Sequence, residues 1–315
     1  MVRLVSDGRG EASFDLDSLQ RDMTGWAEYA KGVAWALGAA DLVGWDGAIV
    51  SEIPEGAGLS SSAALEMATA LAFVTTSGRG WDPVAAALAG QRAENDWIGL
   101  SSGIMDQLIV ATAEPGCATL IDCRSQSLTP IPLPPEVVVV ILDTGTRRRL
   151  VDSEYQKRRE SCRSASQAAG VAALRDLTVS DLPEIAELVD DVTYRRARHV
   201  ITENARTLEA ASALRSGDPT RFGHLMTESH RSLRDDYEVS TGALDTMVRI
   251  ALEQDGCVGA RMTGAGFGGC AIALVEEPHA TLFVDEMNVE HGESAGHRSI
   301  VYRTRPARGT GRQSL

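Results

Sequence analysis

Nine consecutive residues, Pro54-Glu55-Gly56-Ala57-Gly58-Leu59-Ser60-Ser61-Ser62, bring together the groups that bind phosphate. Gly56 and Gly58 let main-chain N–H groups approach a ligand, three serines supply hydroxyls, and an apolar helical run begins at Ala63. The amides and dipole of that helix start favour a di- or triphosphate, while the serine hydroxyls suit phosphate oxygens or a magnesium ion. The bland reading of the same residues is a glycine turn with a serine cap and nothing bound. A second string, Arg261-Met262-Thr263-Gly264-Ala265-Gly266-Phe267-Gly268-Gly269-Cys270, lies between two short apolar runs and by itself reads as a tight turn.

Other chemistries fail on spacing. Neither lysine, Lys31 or Lys157, sits in a G-x-x-x-x-G-K-[ST] frame, so the first loop is not a Walker A loop. The H-R-D and D-F-G strings of protein kinases do not occur. Residues 137–146 form an apolar run ending in Asp143-Thr144-Gly145, as an aspartic protease presents its carboxylate. That chemistry needs two aspartates sharing a proton, and no second D-[TS]-G follows an apolar run. His199 and His230 lack metal or base spacing and read as structural.

The elements that must carry these groups are mixed. Residues 1–19 alternate weakly around Gly8 and Gly10, as a strand pair with a turn would. Trp26, Tyr29, Val33 and Leu37 recur at helical spacing, with Gly38 as the stop. The pattern predicts a strand over 48–53 and an apolar helix over 63–75; Asp82-Pro83 then cap and open a helix reaching Ile98. Pro130, Pro132, Pro134 and Pro135 precede the apolar run 137–142 and mark a boundary between domains 1–136 and 137–306, with 307–315 as a mobile tail. Helical patterns follow at 153–170, 191–214, 220–232 and 243–253, and short strands near 258–262 and 271–275. Without regular βαβ alternation the expected class is α+β.

Length and composition set limits. A chain of 315 residues fits two domains, and 43% hydrophobic with 23% charged residues is an ordinary globular balance. The formal charge of -14 disfavours nucleic acid and anionic membranes, so an anionic ligand needs local help from amides, a metal or a few arginines. No stretch approaches 18 apolar residues and the first residues lack a leader's apolar run; the expectation is a cytoplasmic protein with no membrane partner. The five cysteines lack C-x-x-C pairing and read as reduced thiols.

The string P-x-G-A-G-L-S-S-S-A-A-L-E resembles the second signature motif of galactokinases within the GHMP family, and T-G-A-G-F-G-G-C resembles the third, in the right order. Gly103-Ile104-Met105-Asp106-Gln107 is similar to the family's G-x-M-D-Q element. Further segments resemble galactokinases over roughly residues 1–306, among them Trp26-x-x-Tyr29-x-x-Gly32-Val33, Asp143 to Arg148, and Asp236-Tyr237-Glu238-Val239-Ser240. The resemblance implies a ribosomal protein S5 domain 2-like N-terminal domain and a ferredoxin-like C-terminal domain. It implies ATP on Gly56, Ala57, Gly58, Leu59, Ser60, Ser61 and Ser62, with Gly264, Gly266 and Gly268 closing over the nucleotide. Asp106 becomes the catalytic carboxylate facing the sugar hydroxyl, Gly103 and Tyr237 sugar contacts, and Ser62 with Glu94 the ligands of Mg2+. Tyr237 also fits an aromatic packed at a seam. The implied reaction is transfer of the ATP γ-phosphate to galactose, giving galactose 1-phosphate, by a monomer.

The family's first motif, G-R-x-N-x-I-G-E-H-x-D-Y, does not occur; residues 1–20 resemble the segment after it. Its arginine and sugar-binding acids are therefore missing, and the expectation is an N-terminal domain truncated at its start and a chain inactive as it stands. A fragment, a misplaced start codon and a degenerate paralogue all fit. The rival functions are a non-catalytic galactose or ATP sensor and a GHMP kinase for another small alcohol.

Overall fold

The weak alternation at the start of the chain becomes a hairpin. β1 (Val2–Ser6) and β2 (Gly10–Phe14) pair antiparallel around a turn holding Gly8 at φ +72. This is a computed structural model, and it describes residues 1–22, 25–147, 151–295 and 300–313. The chain divides into two compact units, one of Met1–Glu55, Ser60–Pro130 and Pro306–Leu315, the other of Gly56–Leu59 and Ile131–Arg305.

In the first unit α1 (Ala27–Ala36) carries the chain from the hairpin to β3 (Asp46–Ile49), which pairs parallel with β1 and gives the order β2-β1-β3. β3 ends at Ile49, short of the expected 53, because its partner β1 ends at Ser6; Val50 beyond it is 77% exposed. Val2, Leu4 and Phe14 bury one sheet face among Val33 of α1, Met67 and Phe73 of α2 (Ser61–Thr76), and Ala86 and Ala87 of α3 (Pro83–Arg92). Asp82 Oδ1 accepts from the amides of Val84 and Ala85 at 3.0 Å each and starts α3 as its sequence suggests. A wide π-type turn (Ala93–Ile98) extends α3, and α4 (Met105–Thr112) follows. β4 (Cys117–Asp122) and β5 (Ser127–Pro132) form a two-stranded ribbon.

The tail does not behave as a free end over its described part. Gly116 N donates to Pro306 O at 2.9 Å, Gly309 N to Ala113 O at 2.8 Å and Thr310 N to Val110 O at 2.8 Å. Two of these bonds satisfy carbonyls at the end of α4 that have no partner within the helix, which is why the segment is held. Ser314 and Leu315 lie outside the described residues.

The second unit is built on β6 (Val137–Asp143). It continues through α5 (Val151–Ala168), α6 (Leu182–Leu188), α7 (Asp191–Arg215), α8 (Pro219–Asp235), α9 (Gly242–Glu253), β7 (Cys257–Met262), β8 (Cys270–Glu276), α10 (Ala280–Ala295) and β9 (Ile300–Thr304). The sheet order is β7-β8-β6-β9 with every neighbouring pair antiparallel, which is the split β-α-β topology of ferredoxin-like domains. β6 reads as an unbroken apolar run because both its faces are covered. Val138, Val140 and Leu142 pack with Met247 of α9 and Phe283 of α10, while Val137 packs with Met226 of α8. α10 and β9 are elements that the sequence pattern did not reveal. No helix among the described residues is long and apolar enough to cross a membrane.

Candidate active site

Within the second unit the two glycine-rich strings are joined. Residues Thr263 to Gly269 form the loop between β7 and β8, and Cys270 N donates to Ala57 O at 3.0 Å. Gly269, at φ +86, lies so close to the first loop that a Cβ would stand 2.4 Å from Ala57 O. Thr144 Oγ1 donates to Gly269 O at 2.6 Å, and Gly269 N donates to Thr146 O at 3.1 Å. The Asp-Thr-Gly string thus braces the glycine loops. Its aspartate, Asp143, is buried and takes both arms of Arg147, at 2.8 and 3.0 Å, and the amide of Gly145. That pairing has no place for a protease dyad. Arg148 lies outside the described residues.

In the first unit Ser60 precedes α2 at φ 57, ψ 36, a left-handed conformation uncommon for a residue with a side chain. Its hydroxyl makes no capping bond, so the bland reading of a serine-capped helix is not what forms. Ser61 and Ser62 are half-buried in the first turn. Ser62 stands four residues ahead of Glu66, on the same face of α2.

Glu66 is fully buried, and Glu94, on the wide turn after α3, is 5% exposed. Gln107 Nε2 donates to Glu66 Oε2 at 3.0 Å and to Glu94 Oε2 at 3.1 Å. Burial first, and the charge of Glu94 second, push the Glu66 carboxyl up to about 9. Both effects favour the protonated form of Glu66. Asp106 is half-buried in the first turn of α4, beside Gln107. The loop leading to it is pinned to the wide turn, because Asn95 Oδ1 accepts from Ser102 N at 2.8 Å; Gly103 is exposed. Asp106, Glu94 and Ser62 thus belong to one helix cluster of the first unit. Gly56, Ala57, Gly58 and Leu59 belong with Gly264, Gly266, Gly268 and Tyr237 in the second.

Tyr237 lines a cavity of about 150 Å³ with Tyr155, Arg158, Gly264 and Phe267. Arg158 lies over the Phe267 ring, 5.1 Å from its centroid, and its Nε donates to Tyr237 O at 3.1 Å. The Tyr237 hydroxyl sits 3.9 Å from Cys162 Sγ, and burial raises its pKa. The ring is a packed aromatic and a cavity wall at once. Gln107, Glu66, Phe267, Thr144 and Thr146 all stood inside strings already singled out, but nothing in the spacing gave any of them, or Arg158, a role of its own.

His199 stacks on Tyr237 at 4.5 Å, and its Nδ1 lies 2.9 Å from Ser232 Oγ, which donates to Asp236 Oδ2 at 3.0 Å. Ser232 therefore accepts from a neutral imidazole protonated at Nδ1. Burial drops the His199 pKa from 6.5 to about 4, so the folded state binds fewer protons than the unfolded state between those values. Stability should then be full above pH 6.5 and fall as pH drops toward 4, by on the order of 3 kcal/mol from this group. In urea unfolding at pH 7 and 4.5, wild type is expected to lose clearly more stability than His199→Phe; equal losses would remove the assignment. The other internal histidine, His230, accepts from Met262 N at 3.3 Å through Nδ1, a structural contact.

Residues 28–114 match the GHMP kinases N terminal domain and residues 210–293 match GHMP kinases C terminal. A galactokinase of Chloroflexus aggregans is 48% identical over 89% of this chain and 74% of its own length. One from Roseiflexus is 41% identical over 98% and 81%. Among solved structures, Lactococcus lactis galactokinase complexed with galactose superposes with a TM-score of 0.92 at 34% identity, over 98% of this chain and 83% of that one. A Methanococcus jannaschii mevalonate kinase shares the fold, with a TM-score of 0.68 at 19% identity.

Proposed function

The chain belongs to the galactokinase family of GHMP kinases, and on that premise we propose that it transfers the γ-phosphoryl group of ATP to the anomeric hydroxyl of galactose. The observation that carries the reading is 41–48% identity to galactokinases across most of the chain. Mevalonate and homoserine kinases are similar only at 16–22% identity, so another small alcohol is not favoured, and neither is a non-catalytic sensor.

In this reading Gly56 to Ser62 hold the phosphates through main-chain amides and hydroxyls, with Gly264, Gly266 and Gly268 beside the nucleotide. Asp106 accepts the proton of the anomeric hydroxyl as its oxygen bonds to the γ-phosphorus; the bridging P–O bond breaks, leaving ADP and galactose 1-phosphate. Gly103 and Tyr237 contact the sugar. Ser62 and Glu94, a hydroxyl and a carboxylate, fit a hard magnesium ion that takes its other ligands from water and phosphate oxygens. When bound, such an ion offsets charge on the phosphates. Five cysteines outside any disulfide and an acidic composition support a cytoplasmic enzyme, which we expect to be a monomer.

ADP release with galactose, mevalonate and homoserine tests the substrate. Turnover of either of the last two with none of galactose would reject the proposal. A companion experiment addresses the loop. Ser62→Ala is expected to weaken magnesium-nucleotide binding while galactose affinity holds, as separate titrations would show; equal weakening of both would point to a disturbed helix start.

A further inference from the structure

One buried amide ties together groups that the proposed reaction uses. Gln107 follows Asp106 on α4 and is 0% exposed. A glutamine amide has two N–H donors. Here one goes to Glu66 of α2 and the other to Glu94 of the wide turn, each on Oε2. Gly90 of α3 backs this arrangement closely. A Cβ there would stand 3.1 Å from Gln107 Cγ, 3.0 Å from Glu66 Oε2 and 2.6 Å from Met67 Cε.

We infer that Gln107 is a positioning residue for the metal-nucleotide half of the reaction: one amide proton anchors it to Glu66 and the other holds the Glu94 carboxylate in one orientation, from the position adjoining Asp106. The inference rests on the reading of Glu94 as a metal ligand. Without the amide, Glu94 Oε2 loses the donor that fixes it and the carboxylate is free to turn. A ligand free to turn must be ordered when the cation binds, and the cost appears as lost affinity. Partners that orient a ligand from behind are typically worth about 10- to 100-fold in metal affinity. Because one turn of α4 carries both Asp106 and Gln107, movement of that turn would disturb the metal and the sugar proton together.

The test uses the full chain with a non-hydrolysable ATP analogue and Mn2+ as the probe, free Mn2+ being read by electron paramagnetic resonance. Gln107→Met keeps the length and removes the donors; Gln107→Asn keeps the amide but withdraws it by one methylene. Both are expected to weaken Mn2+ binding about tenfold or more. Leu108→Ala, at a fully buried neighbour on α4, supplies the control for lost packing alone. It should lower Tm yet leave Mn2+ binding within about twofold. In turnover, the glutamine variants should raise the Mg2+ concentration for half-maximal rate while the galactose KM stays within about twofold of wild type. Mn2+ binding unchanged in both glutamine variants, or weakened as much by Leu108→Ala, overturns the inference. Should Gln107→Met fail to fold, Gln107→Asn carries the test. Glu94→Ala separates the two levels. If it leaves Mn2+ binding intact, the metal reading itself falls and the inference with it. If it weakens binding while the Gln107 variants do not, only the inference falls.

Discussion

Replacing Asp106 by alanine is expected to lower kcat for galactose phosphorylation by on the order of 10²–10⁴, the range for loss of a general base. Phosphoryl transfer asks the protein for positioning and charge stabilisation, and removing the proton of the attacking hydroxyl is the one step that needs a basic side chain. Asp106 is suited to it by placement. It is half-buried in the first turn of α4, where the following residue, Gln107, is anchored to two other elements. Asp106→Asn keeps the shape and removes the basicity, so it should lose nearly as much as alanine. Steady-state assays on both variants, with a thermal melt to verify folding, provide the check. A loss below about tenfold in both would take Asp106 out of the base role.

The second large effect is expected at Gly269, a residue that touches the first glycine-rich loop only through its main chain. An alanine there must keep φ near +86, which costs about 1–3 kcal/mol, and must place a methyl group 2.4 Å from Ala57 O. That oxygen is backbone and already accepts from Cys270 N, so it cannot yield without breaking a bond of its own. Gly269→Ala should therefore destabilise the second unit by about 3 kcal/mol or more and, in whatever fraction folds, weaken ATP binding at least about tenfold by displacing Ala57. Neighbouring Gly268 serves as a comparison that shares the backbone strain, at φ +124, while its Cβ would stand 3.2 Å from the side-chain oxygen of Thr146 and not 2.4 Å from a main-chain carbonyl. Urea unfolding and nucleotide titration on the two variants decide the matter. A Gly269→Ala protein with wild-type stability and ATP affinity would mean that the two glycine strings do not depend on each other.

Chemistry written into contiguous residues was legible before any fold was known. The loop at 54–62 announced itself by glycines and serines ahead of an apolar helix. The Asp82-Pro83 cap needed only the two residues that follow it, and α7, α8 and α9 begin within a residue or so of their expected positions because Asp190, Asp218 and Thr241 cap them locally. Such signals act over one helical turn, so a single chain carries them whole. What lay beyond reach was every bond between distant segments. Thr144 to Gly269 spans 125 residues, Gln107 to Glu66 spans 41, and the tail hydroxyl of Thr310 reaches Val110 across 200. No local pattern encodes such pairs, because each exists only when helices and strands pack and bring buried donors to buried acceptors. For the same reason the tail looked free, since Gly309 and Thr310 resemble any loose terminus until the carbonyls at the end of α4 stand beside them. The residue types of the site were thus a property of sequence, while the aim of each side chain, and above all the holding of Glu94 by the amide next to Asp106, was decided by tertiary packing.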